Sequence, residues 1–248
     1  MVSPAGEVTV AGGERVKRGE FPWHAGIYKN ITTYQQVCGG SLINNRVVIS
    51  AAHCFWTDLE KQLPASQFAV AVGKLYRPWG DPVDQAQTSD VKEVHLPSHF
   101  QGAETNYQAD IALVIVASQF QFNMHIRPVC LDFDFIFESQ QLRSGNRGKL
   151  PFVEVGTCYI NSPGDFRPFI TIDKLCAGTL QSNTAVCKGD SGGGLVFPES
   201  YRGTERYYLR GVASTAPKSN DACNTAAYTT FTQLMKHEHF IKQFWIES

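Results

Sequence analysis

The stretch Cys187-Lys188-Gly189-Asp190-Ser191-Gly192-Gly193-Gly194, followed by the apolar run Leu195-Val196-Phe197, sets a hydroxyl among glycines directly after an acid. Glycine takes backbone conformations with φ > 0 that other residues rarely adopt. Such a turn brings the amides of Gly189 and Ser191 round to one point, where an oxyanion can be held. A glycine-rich hairpin has a similar composition, so the stretch reads as a covalent acyl-transfer site only if partners exist elsewhere.

Two other stretches supply them. Ser50-Ala51-Ala52-His53-Cys54 closes the β-branched segment Val47-Val48-Ile49, which reads as a strand and offers His53 as a base. Ala109-Asp110-Ile111-Ala112-Leu113-Val114 puts an acid at the mouth of another buried strand. A serine is a weak nucleophile at neutral pH, so it needs an imidazole that is largely unprotonated there. The acid would fix the imidazole tautomer and stabilise the imidazolium formed when Ser191 loses its proton. Singly, His53 could be a core histidine and Asp110 a strand-entry cap. The chain order His53, Asp110, Ser191 makes them one constellation, in the order of the chymotrypsin type.

These residues carry a resemblance to the chymotrypsin-like (trypsin-superfamily) serine protease domain, extending from Val10 to Ser248. The matching motifs are Val10-Ala11-Gly12-Gly13, Gly19-Glu20-Phe21-Pro22-Trp23, Cys38-Gly39-Gly40-Ser41-Leu42, Ala51-Ala52-His53-Cys54, Asp110-Ile111-Ala112-Leu113, Arg127-Pro128-Val129-Cys130-Leu131 and Gly189-Asp190-Ser191-Gly192-Gly193. Gly192-Gly193-Gly194, with Tyr208-Leu209-Arg210-Gly211-Val212 and Lys236-His237-Glu238-His239-Phe240, resembles the insect haemolymph modular serine proteases. The resemblance implies an all-β fold of two antiparallel Greek-key barrels, roughly 10–125 and 126–232, with the active site in the cleft between them. Short apolar runs separated by turn residues agree: Ser41-Leu42-Ile43, Asn44-Asn45 and Val47-Val48-Ile49 read as a hairpin, and Phe68, Val70 and Val72 alternate in strand fashion. Leu234, Ile241, Phe244 and Trp245 recur at helical spacing, which predicts a terminal helix over 233–247. His237 and His239 lie two apart, on different sides of such a helix, and suggest no metal site. No cofactor is expected.

The resemblance also implies three disulfides, Cys38 with Cys54, Cys158 with Cys176, and Cys187 with Cys223. The seventh cysteine, Cys130, is left over. In multi-module relatives the matching cysteine ties the protease domain to upstream regulatory modules; a free buried thiol is the alternative. By the same carry-over, a cut before Val10 frees an α-amine that pairs with Asp190 and moulds the oxyanion amides. Residues 1–9 then read as the remnant of an activation segment, and Thr9 as an unusual residue after which to cut. The specificity pocket falls on Ala185 at its base, Ser214, Thr215 and Ala216 along one wall, and Ala226 on the other. No charge is available there, and each alanine methyl narrows the slot. Small or medium uncharged residues are therefore expected before the scissile bond, because a basic side chain would be buried without a partner. Ser214 to Ala216 would pair with the substrate backbone as an added strand.

Bulk properties add bounds. Lys+Arg 22 against Asp+Glu 23 leaves a net charge of −1, so charge points to no nucleic-acid or membrane partner. Met1 to Thr9 lacks the apolar core of a signal peptide. Asn30-Ile31-Thr32 is an N-glycosylation acceptor pattern, congruent with a secreted, haemolymph-like location. Implied partners are protein substrates, downstream protease zymogens among them, and serpin-type inhibitors. One stretch departs from the family pattern: between Cys130 and Cys158 a strand carrying Gly-Trp-Gly and a loop are missing, and only Leu150 to Val155 is strand-like. Either Phe133 to Gln141 substitutes or the second barrel is open, and a non-catalytic, protease-like regulatory module is the alternative reading of the chain.

Overall fold

The computed structural model describes residues 17–80, 85–134, 151–180, 189–201, 203–217 and 227–245. Val10, Ala185, Cys187, Cys223 and Ala226, all singled out above, lie outside the described residues, as does most of the Phe133–Gln141 stretch.

The first half is built from β1 (His24–Asn30), β2 (Tyr34–Leu42), β3 (Val47–Ser50), the small pair β4 (Trp56–Thr57) and β5 (Lys61–Gln62), β6 (Phe68–Val72), β7 (Gln87–His95) and β8 (Ala112–Val116). Six of these close into a barrel in the order β1-β2-β3-β8-β7-β6. The β2–β3 hairpin pairs Ser41 with Ile49 and Leu42 with Val48. Its turn is set by Asn44, whose Oδ1 accepts from the amides of Arg46 and Val47, each at 2.9 Å.

The continuous apolar runs have a geometric cause. Side chains alternate faces along a strand. Val48 and Val114 point into the barrel with Leu42, Phe68, Val70 and Val72. Their neighbours Val47, Ile49, Ile111 and Leu113 point outward into a second cluster with Val129, Leu209, Leu234 and Ile241. Strands β3 and β8 are thus buried on both faces, between the barrel and the second half. In β6 the alternate positions Ala69 and Ala71 are buried too.

The second half comprises β9 (Phe152–Val153), α1 (Val155–Asn161), β10 (Lys174–Ala177), β11 (Gly194–Tyr201), β12 (Thr204–Ala213) and β13 (Thr229–Gln233). Among the described residues these strands form a five-stranded sheet, β11-β12-β13-β10-β9, that does not close. Only residues 211–213 of β12 pair with β13. Beside its outer half lies the Cys130 segment: Cys130 N donates to the Tyr207 carbonyl and Leu209 N to the Cys130 carbonyl, both at 3.0 Å. The side chains of Leu175, Ala177, Ala213 and Phe231 fill this sheet's own small core.

The chain then makes a 3-10 turn, Leu234–His237, and the short helix α2 (Glu238–Lys242). The regular helix is shorter than the 233–247 that the apolar spacing suggests. Gln233 is still committed to the sheet, its backbone N donating to the Asp173 carbonyl (2.8 Å) and its Nε2 to the Lys174 carbonyl (3.0 Å), so helical turns begin only after it. Ile241 is fully buried in the cluster between the two halves. Disulfides join Cys38 to Cys54 and Cys158 to Cys176. Loops of this size give each bridge about 3 kcal/mol of stabilisation. Cys130 is a half-buried free thiol whose ionisation burial pushes upward. Asn30 is exposed at the end of β1.

Candidate active site

Antiparallel pairing creates the site. Ser50 at the end of β3 lies opposite Ala112 at the start of β8, so the residues just beyond each strand end emerge side by side. His53 follows β3 in a 3-10 turn, Ala52–Phe55, and is held to the barrel through the neighbouring Cys54. Asp110 precedes β8 and is completely buried.

One carboxylate grips His53 twice. Asp110 Oδ1 accepts from the His53 backbone N at 2.9 Å, and Oδ2 faces His53 Nδ1 at 2.8 Å. Ser214 Oγ donates to the same Oδ2 at 2.6 Å. Burial alone would push the Asp110 carboxyl up. The charge and hydrogen bond of His53, the cation of Lys174 and the Ser214 hydroxyl outweigh it and hold Asp110 below the ordinary carboxylate range. Burial likewise opposes protonation of His53, but Asp110 prevails, and the ring titrates above an ordinary histidine despite the opposing Lys174 cation.

Ser191 sits in a turn clasped from both halves of the molecule. Its carbonyl accepts from Gly39 N of β2 at 2.8 Å, while Gly192 N donates to the Ala213 carbonyl of β12 and Ala213 N to the Gly193 carbonyl, each at 2.9 Å. Gly192 has φ +79°, and a Cβ there would collide with Ser50 Oγ and the Gly39 carbonyl, so the close approach requires glycine. Gly189 has φ +95° and lies under the guanidinium of Arg77, whose Nη2 is 3.6 Å from Asp190 Oδ1. Among the described residues no hydrogen bond joins Ser191 Oγ to His53.

Beyond His53 a cleft of about 530 Å³ is lined by Tyr107, Phe166, Phe169, Asp165 and the strip Ser214 to Pro217. The Thr215 carbonyl accepts from Thr230 N at 2.8 Å, and Thr215 N donates to Thr230 Oγ1 at 3.2 Å. That leaves the Ser214 carbonyl and both backbone groups of Ala216 without partners among the described residues, as an added substrate strand would require. The aromatic wall of Phe166 and Phe169 is absent from the reading of the sequence. These residues sit in a loop between α1 and β10, and nothing local to them announces that they reach His53.

The residues legible as a site therefore fall as follows. His53 and Asp110 are in direct contact, Ser214 joins them, Ser191, Gly189 and Asp190 share the adjoining turn, and Thr215 and Ala216 edge the cleft. The sulfurs of Cys38 and Cys54 lie within 4.8 Å of a His53 ring nitrogen, but they are bonded to each other and hold no thiolate for a metal.

A closed barrel and a five-stranded sheet meeting at a His–Asp couple beside a glycine-bound serine define a trypsin-like protease domain. A model of the trypsin family matches residues 10–237, and the chain belongs to that family of chymotrypsin-like serine proteases. It is 31% identical over 256 residues to the modular serine protease of Drosophila melanogaster, covering 93% of this chain and 39% of that protein. It is 28% identical over 258 residues to clotting factor C of Tachypleus tridentatus, covering 94% of this chain and 25% of that protein. Serine protease gd of Drosophila melanogaster is 28% identical over 283 residues, covering 93% and 52%. The chain thus spans between about a quarter and a half of the length of these relatives.

Proposed function

We propose that the chain is the protease domain of a larger extracellular serine endopeptidase. Among the described residues no helix is long and apolar enough to cross a membrane. The observation that carries the reading is the doubly bound His53–Asp110 couple next to the clasped Ser191 turn. Ser191 Oγ attacks the substrate carbonyl carbon, a C–O bond forms, and the hydroxyl proton passes to His53 Nε2. Asp110 stabilises the imidazolium, and the amides of Gly189 and Ser191 hold the oxyanion. The C–N bond then breaks as the imidazolium returns its proton to the leaving amine, and water repeats the sequence on the acyl-enzyme.

The zymogen reading follows from Val10 and Asp190: the freed amine competes with Arg77 for the same carboxylate. The uncharged positions Ala185, Ala216 and Ala226 support small or medium uncharged residues before the scissile bond. Relatives named for clotting and for a modular protease support a place at the head of an immune-type proteolytic cascade, with downstream zymogens as substrates and serpin-type inhibitors as partners. Cys130 is the attachment point for upstream modules, and Asn30 the glycosylation site. The five-stranded sheet, which does not close among the described residues, favours one other reading, a catalytically impaired regulatory module. The test is hydrolysis of peptides with Leu before the scissile bond, after the Val10 amine is freed. Hydrolysis abolished by Ser191→Ala supports the enzyme; a folded chain that hydrolyses nothing supports the module.

A further inference from the structure

Behind the His53–Asp110 couple, at the seam between the barrel and the second sheet, lies a buried polar cluster that the reaction above does not use. The Lys174 side chain is fully buried at the start of β10. Its Nζ donates to the Tyr107 carbonyl at 2.7 Å and to Thr232 Oγ1 at 3.0 Å, and lies 3.7 Å from Asp173 Oδ1. Asp173 Oδ2 accepts from Ala109 N at 2.8 Å and faces His237 Nε2 at 2.9 Å, while Oδ1 accepts from Thr171 Oγ1 at 2.6 Å.

The two groups gripped on the barrel side are not ordinary loop atoms. Asn106, Tyr107 and Ala109 all hold left-handed backbone, with φ of 50°, 56° and 58°. None is glycine, so this conformation persists only where surroundings enforce it. Asp110 is the next residue. Two consecutive side chains of the second sheet thus bind a carbonyl and an amide of the strained segment that delivers the acid to His53. A buried lysine is costly unless paired, and here its pairing is spent on that segment.

We propose that Lys174 and Asp173 are positioning residues for the protease reaction, clamping the Tyr107–Ala109 backbone so that Asp110 meets His53 in register. The inference rests on the protease reading above. Among the described residues, the charged and titratable groups around the couple are Lys174 and Asp173 from the β10 side, Tyr107 from the loop before β8, Asp165 from the cleft wall, and, behind Asp173, His237, ring-stacked with His99. The Lys174 cation opposes protonation of His53, so its removal lets the imidazole hold its proton to higher pH.

The experiment uses the full chain with the Val10 amine freed, as unchanged protein, Lys174→Met and Lys174→Gln. Lys174→Gln keeps an N–H donor for the Tyr107 carbonyl without a buried charge, and so retains a foldable test if the methionine variant unfolds. Two quantities are read: kcat and KM across pH, and the titration midpoint of the His53 Nδ1–H proton resonance, which needs no turnover. Both variants are expected to move the acid limb of kcat/KM and the His53 midpoint to higher pH. Lys174→Met is further expected to lose kcat on the order of 100-fold with KM little changed, as misplacement of a catalytic group does. A folded variant with the unchanged midpoint and kcat overturns the inference. Unchanged protein that fails to turn over while its His53 midpoint still responds to Lys174→Gln overturns the protease reading instead.

Discussion

Asp110 binds His53 at two points at once, its Oδ1 taking the backbone amide at 2.9 Å and its Oδ2 the ring Nδ1 at 2.8 Å. The amide bond fixes where the ring begins, and the ring bond fixes how it turns. Only a carboxylate can accept both. In Asp110→Asn the amide NH2 must face one of these donors or force Nδ1 to act as acceptor, which puts the proton on the nitrogen that should take it from Ser191. The expected result is a loss of kcat on the order of 10⁴-fold at neutral pH with the fold intact. Steady-state kinetics alongside a thermal unfolding curve checks it.

Two histidines near the site should titrate in opposite senses. His53 is raised, so its pairing contributes stability that is fully present below the ordinary histidine value and is lost as pH rises through its folded value; as a base it gains activity over that same rise. His24, packed against Gly39, is lowered to about 4 by burial and then by Arg77. It must stay neutral in the fold, so stability falls as pH drops from about 6.5 towards that value. His24→Gln should therefore flatten the pH dependence of melting between these limits. A slope unchanged by the substitution contradicts the assignment.

Breaking the seam cluster should cost stability as well as rate. Asp173 is held well below the carboxylate range, burial opposing and the bond from His237 and the charge of Lys174 prevailing. Its contribution is present above about pH 4, the unfolded carboxyl value, and is lost as pH falls through the depressed folded one. Asp173→Ala leaves Lys174 buried beside no carboxylate of its own sheet and should cost about 3 kcal/mol near neutral pH. Denaturant unfolding at neutral and acid pH measures this, with the difference between the two proteins shrinking in acid.

Selectivity should follow the uncharged residues proposed for the pocket, Ala185, Ala216 and Ala226. Peptides with Leu, Val or Thr before the scissile bond are expected to be cut faster than peptides with Arg, since the guanidinium would lose its water without gaining a partner. A profile led by Arg contradicts this. Thr9 itself suits such a pocket, so the uncut chain is expected to cleave its own Thr9–Val10 bond. Ser191→Ala protein that is processed at that bond as fast as unchanged protein rules self-cleavage out.

What could be read in one dimension was whatever a short motif carries whole. The strand ends before His53 and after Asp110 are visible because both strands are buried on two faces and so run continuously apolar. The Ser191 turn is visible because close packing against Gly39 and Ser50 leaves room only for glycine at 192. Lys174 and Asp173 escape notice because their partners, Tyr107 and Ala109, are 67 and 64 residues away and are backbone groups with no side-chain signature. Phe166 and Phe169 escape for a similar reason: aromatic residues in a loop read as core until the fold turns them to the cleft. The start of the terminal helix is misplaced at Gln233, where two hydrogen bonds to residues 173 and 174 keep that residue in the sheet.

The central claim is that His53, Asp110 and Ser191 assemble into one working site, although the second sheet does not close among the described residues. Labelling of Ser191 by a fluorophosphonate probe, on chain with a free Val10 amine, tests it most directly. Labelling of the unchanged protein, lost in His53→Ala, is the expected result. A folded, monomeric sample that takes up no probe would contradict it and leave the regulatory module as the reading of this domain.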